Sequence, residues 1–323
     1  MKLFHSLLYP LLGGLFCLSC SDDEQDSGTK QPTTAGEVTF GVDLTGFSTR
    51  VTQDGSSWND GDKIGTYVLD MKTLEPVTEA ANVPYVCSEE GASVSFTSTT
   101  PLKVQNDGTP VKFVAYYPYN ADVRNFNYPV QLAAQERGST ACDLLYAATK
   151  EEYTYSPENE PHISLNFTHR LAKVILKFVN MEKEPLEVSD VRIEGMQTAA
   201  SFNIQTDVLT VDESSVATIN PYHNATTGFY EAIILPSALT DSYKVSFVLD
   251  DREKEWIFTN LDIALPQFHK GYSYTFALYI DDSGFVEMGR LENVEGGNSS
   301  APWEDGSSED GTAEGDKTPV SGY

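Results

Sequence analysis

The chain has 323 residues, enough for two domains, and four cysteines, too few for a disulfide framework. Its 48 acidic and 21 basic residues leave a formal net charge of −27, which repels phosphate backbones and anionic bilayers and excludes nucleic-acid binding. A 40% hydrophobic composition supports packed cores, and the aromatics are mainly Tyr (17) and Phe (16), which suit half-buried pleated surfaces.

Residues 1–20 have the form of an export signal. Lys2 and His5 precede an apolar run from Leu7 to Leu18 that is broken by Pro10 and Gly13-Gly14. The run is too short and too interrupted for a transmembrane helix. It ends in Leu18-Ser19-Cys20-Ser21, which resembles a bacterial lipobox, a signal whose Cys is acylated and becomes the first residue. The acidic run Ser21-Asp22-Asp23-Glu24 resembles the tag that carries some Gram-negative lipoproteins to the outer face of the outer membrane. No later stretch is apolar enough to span a bilayer, so a lipid on Cys20 is the expected anchor. Residues 21–36, rich in Asp, Ser, Thr, Gly and Pro, read as a flexible tether.

A first β-domain is expected over residues 37–171. Val38, Phe40, Val42 and Leu44 alternate, the pattern of a strand with one buried face. The stretch from Asp54 to Asp62 is turn chemistry, with Asp and Asn capping backbone amides, Gly supplying positive φ, and Trp58 as a core plug beside it. Asp54, Asn59, Asp60 and Asp62 offer oxygens to calcium, but the twelve-position loop spacing with its terminal Glu is absent, which favours a turn. Strands are predicted at 64–69, 85–87, 94–96, 111–117, 128–132 and 143–147, with turn signals between them. The strongest, Val111 to Tyr117, stops at Pro118, which cannot donate a ladder hydrogen bond. No segment before residue 165 shows 3.6 periodicity, which points to an antiparallel sandwich rather than βαβ units. Cys87 and Cys142 either pair in an oxidising compartment or pack as separate small apolar thiols.

The chain is organised around residues 165–178. Leu165, Phe167 and Leu171 are apolar at odd positions; Ala172, Val174, Leu176 and Phe178 are apolar at even positions, with Lys173 and Lys177 between. Slipping by one residue moves the apolar set to the other face of a strand. The slip at Leu171-Ala172 is either a bulge or, as we read it, the point where one strand ends and the first strand of a second β-domain (172–288) begins. That domain shows strands at 186–193, 229–235, 243–249 and 256–258, a short hairpin around Thr206-Asp207 (202–204 and 208–211), and a clean final strand in which Tyr272, Tyr274, Phe276, Leu278 and Ile280 share one parity. Residues 289–323 carry eight acidic groups against Arg290 and Lys317, and such a Gly/Ser-rich tail is expected to be largely disordered in isolation.

The sequence offers no constellation for catalysis. It has no HExxH helix, nucleophile elbow, P-loop or dinucleotide fingerprint. His162, His169, His223 and His269 are scattered without a second ligand at metal spacing, and His169 sits on the apolar parity of its strand, where a hydrogen-bonded core histidine is expected. A carboxylate pair for glycoside hydrolysis, about 5–9 Å apart, is not visible from sequence. No cofactor is expected.

Several markers carry a family likeness. Thr49-Arg50, the run Trp58 to Gly65, Val114-Ala115-Tyr116-Tyr117-Pro118-Tyr119, Asp143 to Ala147, Phe167 to Lys173 and Gly271 to Tyr274 resemble, in order, the markers of the fimbrillin-like proteins, nearest their minor-fimbrilin branch. The resemblance implies an all-β fold of two tandem antiparallel, transthyretin-like β-sandwich domains. It implies export as a lipoprotein to the outer membrane and cell surface, no enzyme activity, and a place in a type V pilus built with other pilus subunits, as stalk, anchor or tip. It also implies adhesion to a host or bacterial surface ligand. In pilins of this family a protease removes the leading strand after an Arg, and the emptied groove accepts a strand from the next subunit. Arg50 is the matching position; read by itself it is an exposed turn residue. Phe285, Val286, Met288, Leu291 and Val294 are the apolar residues of a C-terminal donor, and they alternate poorly, which fits a tip or accessory subunit at least as well as a polymerising stalk. The alternative is a glycan-binding surface lipoprotein of a polysaccharide-uptake system, with Tyr116, Tyr117, Tyr119 and Tyr128 as stacking candidates that core or edge packing also explains.

Overall fold

Alternating burial builds this molecule strand by strand. In Ser93–Thr97 only Val94 and Phe96 are buried, and in Val83–Cys87 the buried set is Val83, Tyr85 and Cys87. A period of two places such residues on one face, so these two strands each have a wet side and a dry side. The computed structural model describes residues 35–43, 58–78, 81–91, 93–135, 142–158, 160–181, 187–249, 251–260, 265–280, 286–292 and 304–305. Among these there is no α-helix, and the sheets are mainly antiparallel, as expected for β-sandwich architecture.

The largest sheet has eight strands in the order His162–Ser164, Thr39–Asp43, Ser93–Thr97, Val83–Cys87, Lys63–Asp70, Val111–Tyr117, Leu145–Ala148 and Thr168–His169. It rolls around its own core. Phe40 and Phe113 lie on strands four places apart in this order, yet their rings meet edge to face at 5.8 Å. Trp58 is the expected plug: it is fully buried, edge to face with Phe96 (5.0 Å), Tyr117 (5.3 Å) and Phe167 (5.5 Å). Gly65 lies under the ring of its cross-strand neighbour Tyr116, which a Cβ would meet at 2.2 Å.

A second body of sheet follows. Tyr222–Asn224, Phe229–Ile234, Ala172–Asn180, Tyr272–Ile280 and Val286–Glu292 pair in that order, with Glu304–Asp305 also against Tyr272–Ser273. Val188–Glu194, Lys244–Leu249 and Arg252–Ile257 form a three-stranded sheet, and its apolar face meets that of the first across a core containing Val174, Leu176, Ile193, Phe247, Trp256 and Phe276. The outer strand Arg252–Ile257 reads Arg-Glu-Lys-Glu-Trp-Ile, and a charged edge of this kind discourages pairing with other chains. Among the described residues three neighbouring pairs are parallel: His162–Ser164 with Thr39–Asp43, Ala172–Asn180 with Tyr272–Ile280, and Glu304–Asp305 with Tyr272–Ser273.

The slip at Leu171-Ala172 has a structural cause. Ile163, Leu165 and Phe167 face the first core, Leu171 faces a third, and Ala172, Val174 and Leu176 face the second. The chain changes sheet between His169 and Ala172, so the face that must be apolar changes with it. Lys173 points to the opposite face, where its Nζ meets Glu231 Oε2 at 2.7 Å, and Lys177 lies 5.0 Å from the ring centre of Phe229.

The third core joins the two bodies. Tyr67, Val114, Tyr116 and Tyr146 on the outer face of the rolled sheet pack with Phe202, Ile204, Ile233 and Leu235. Here Asn127–Gln131 pairs with Ala199–Asn203, which forms the expected hairpin with Val208–Val211 around Asp207 (φ 58°). A strand from before residue 171 thus completes a sheet with two from after it. Gln135 adds a side-chain tie: its buried amide donates from Nε2 to the carbonyls of Leu132 (2.8 Å) and Ile233 (2.7 Å), and Oε1 accepts from the Ile233 amide (2.7 Å).

The remaining expectations resolve locally. Cys87 and Cys142 are free thiols, the first buried. Asn59 to Asp62 is a turn, with the Asn59 amide donating to Asp62 Oδ2 at 2.7 Å and Gly61 at φ 87°; Asp54 lies outside the described residues. Of the acidic tail, residues 289–292 fall within the strand Val286–Glu292, and all but Glu304–Asp305 of the rest lies outside the described residues.

Burial of tyrosines sets an alkaline limit. Loss of hydration pushes Tyr67, Tyr85, Tyr128 and Tyr146 up to about 12, and it raises Tyr116 and Tyr117 as well. An unfolded tyrosine loses its proton near pH 10. Between about 10 and 12 the unfolded chain therefore holds fewer protons than the folded one, and stability falls as pH rises. These rings are expected to show no tyrosinate absorbance until the protein unfolds, in one step, above about pH 10. Titration of all tyrosines near pH 10 with the circular dichroism unchanged would contradict the burial pattern.

Candidate functional site

The first strand is the first candidate. Thr39–Asp43 is an interior strand, parallel to His162–Ser164 on one side and antiparallel to Ser93–Thr97 on the other. Phe40 is fully buried, edge to face with Tyr85 at 4.8 Å, and Val38 and Val42 are buried with it. Tyr85 stitches the strand's entry: its hydroxyl donates to the Val38 carbonyl (3.0 Å) and accepts from the Leu102 amide (2.8 Å). If this strand left, it would expose two ladder edges and an apolar furrow.

The second candidate is the seam where the rolled sheet's ends approach. His162–Ser164 pairs only with Thr39–Asp43, and Leu145–Ala148 pairs with Thr168–His169 only through Leu145 and Tyr146. Among the described residues, the far edges of Ala147–Ala148 and His162–Ser164 have no strand partner. A groove of about 810 Å³ lies there, reached by Ala148, Thr149, Tyr153, His162, Ser164 and Asn166. The ring of His162 lies over Gly41, where a Cβ would meet it at 2.6 Å, and its Nδ1 is 3.0 Å from Thr39 Oγ1.

One ion pair lines the groove, and a buried histidine–carboxylate contact lies beside it in sequence. Arg170 holds Asp207 with two parallel hydrogen bonds, Nε to Oδ1 at 2.5 Å and Nη2 to Oδ2 at 3.0 Å, and its guanidinium carbon lies 4.7 Å from the ring centre of Tyr146. His169, on the buried parity as expected, pairs through Nδ1 with Asp143 (2.8 and 3.0 Å to its two oxygens). Among the described residues no three His, Cys, Asp or Glu side chains gather where they could hold a metal.

Cys20 and Arg50 lie outside the described residues, as do Phe285 and Val294. Val286, Met288 and Leu291 lie in the strand on the edge of Tyr272–Ile280. The four tyrosines serve packing and hydrogen bonding. Tyr116 is fully buried and donates to Asn82 Oδ1 (2.6 Å), Tyr117 donates to Asp62 Oδ1 (3.3 Å), Tyr128 packs edge to face on Tyr116 at 5.4 Å, and Tyr119 is half-buried against the third core. The sequence reading missed the strand His162–Ser164. Its signal was present: carrying the odd parity of Leu165 and Phe167 two residues back reaches Ile163, which is buried between exposed His162 and Ser164.

A family model described as fimbrillin-like matches residues 49–303. Among solved structures, a candidate cell adhesion protein from Bacteroides uniformis is similar with a TM-score of 0.64 and 22% identity, over 80% of this chain and 97% of that one. Another from Bacteroides ovatus has a TM-score of 0.58 and 15% identity, over 79% and 95%. At these identities the likeness is one of fold. No curated protein matches this sequence.

Proposed function

The chain belongs to the fimbrillin-like family, and from that premise we propose that it is a non-enzymatic fimbrial subunit or tip adhesin, anchored in the outer membrane by a lipid on Cys20 and assembled by strand exchange after cleavage at Arg50. In this reading residues 37–171 and 172–288 are its two sandwich domains. The observation that carries it is the place of the first strand. Thr39–Asp43 lies inside a sheet, second of eight strands, yet Arg50 lies only seven residues beyond its end, ahead of Trp58, where the described fold resumes. A cut there would leave the strand held by hydrogen bonds and packing alone. Its departure would open a groove with two ladder edges, and an incoming strand of alternating apolar residues restores both. A head-to-tail contact of this kind does not close on itself and grows a filament. The C-terminal strand Val286–Glu292 fits the role of donor because it lies at an edge and can leave without dividing its sheet.

The test compares wild type, Cys20→Ala and Arg50→Gln in the native host. Wild type is expected to label with antibody on intact cells and to give ladders of assembled subunits on gels. Cys20→Ala is expected to lose membrane retention, and Arg50→Gln to stay at the surface without laddering. Labelling that requires a permeabilised outer membrane would overturn the surface role. Ladders from Arg50→Gln would overturn the cleavage step.

A further inference from the structure

We propose that the seam groove is a binding site for a neutral oligosaccharide, separate from the slot of the first strand. The wall supplied by residues 162–168 is a comb. Ile163, Leu165 and Phe167 are buried, whereas His162, Ser164, Asn166 and Thr168 are exposed and reach the groove. Teeth two residues apart on an extended chain stand about 7 Å from one another. Thr168 is engaged by Arg170, and His162 is positioned by Thr39 and Gly41. Ser164 and Asn166 have no side-chain partner among the described residues, so their hydroxyl and amide are available to sugar hydroxyls.

The opposite wall supplies the apolar contact that a sugar ring also needs. Two aromatics line the groove. Tyr146 is already covered by Arg170, which leaves Tyr153, held rigid edge to face on Phe113 at 5.6 Å and by reciprocal backbone hydrogen bonds with Val111. An amphipathic ring with a fixed apolar body suits the C–H face of a sugar. The volume, about 810 Å³, is that of a small-molecule site rather than a protein interface.

Charge selects within the class. Lys112 and Lys150 face the groove with Glu151 and Glu152, and Arg170 is matched by Asp207, so the lining is locally balanced. Around it stands a chain of net charge −27, which disfavours approach of uronate or sulfated chains. A peptide strand fits less well. The unpaired edges run for two residues at Ala147–Ala148 and three at His162–Ser164, too short for a ladder, whereas sugar hydroxyls use single donors and acceptors.

The experiment screens the purified full chain against arrayed neutral oligosaccharides (mannan, galactan, arabinan and fucosylated mucin-type glycans), uronate and sulfated glycans, and a synthetic peptide of residues 286–292. A neutral class is expected to bind. Titration calorimetry should then show binding weakened tenfold or more by Ser164→Ala/Asn166→Ala and unchanged by Lys254→Ala on the far sheet. Ser164 and Asn166 are exposed, and equal melting temperatures would show intact folding. Absence of any neutral-glycan binding, equal binding by the double variant, or binding of the peptide or anionic glycans alone would overturn the proposal. None of these outcomes bears on laddering in cells, so the pilus reading stands or falls separately.

Discussion

Replacing Phe40 by alanine is expected to lower stability by about 3–5 kcal/mol, the range for emptying a large buried aromatic site. The ring is fully buried and touches Tyr85 and Phe113, which belong to different parts of the rolled sheet, so the walls of the cavity cannot collapse without moving strands. Urea unfolding measures the loss directly, and Phe40→Leu, which keeps most of the volume, should cost much less. Thr39→Ala, on the exposed face of the same strand, should cost well under 1 kcal/mol. A loss below about 1 kcal/mol for Phe40→Ala would mean that the first strand contributes little to the core. The same residue bears on assembly. In the proposed assembly a strand anchored this firmly would leave only after the backbone is cut, and uncut protein is expected to remain monomeric on gel filtration.

Gln135→Leu is expected to cost about 3 kcal/mol or more, although it keeps the volume and makes the site more apolar. The substitution removes three hydrogen bonds at once and strands the Leu132 carbonyl together with the amide and carbonyl of Ile233. Each buried backbone group left without a partner costs about 1–3 kcal/mol. Two of the three bonds cross from the rolled sheet's side of the chain to Ile233 on the strand Phe229–Ile234, so the damage should concentrate at the joint. Hydrogen exchange is the discriminating measurement: the Ile233 amide should exchange far faster, while the Phe113 amide in the first core keeps its protection. Wild-type stability with unchanged exchange at Ile233 would show that the side chain is dispensable. Gln135→Glu should also destabilise, because a carboxylate cannot donate to the two carbonyls.

Much of the fold was legible because strands write their burial into the sequence at period two. The strand at residues 111–117 occupies the span its composition predicts, and the five-residue parity from Tyr272 to Ile280 reappears as one continuous strand. The parity slip at Leu171-Ala172 was legible too, since an apolar set cannot change faces unless the core it serves changes. The short strand at 162–164 holds a single buried side chain, so it is legible only as the continuation of the odd parity of Leu165 and Phe167, which the sequence reading did not carry back to Ile163. The seam was illegible for a different reason. It depends on which edges remain unpaired, and an unpaired edge has no composition of its own.

By itself the sequence determined the all-β class, most strand positions and the family, because alternation, turn chemistry and short motifs are local properties of the chain. Only the tertiary structure decided partners. It placed Asn127–Gln131 beside Ala199–Asn203, tied Gln135 to Ile233 across 98 positions, and set Thr39–Asp43 inside a sheet between strands from residues 93–97 and 162–164. Pairing at such separations follows from how two-faced strands bury their dry sides together once the chain has collapsed, and no local pattern encodes which of many apolar faces will meet.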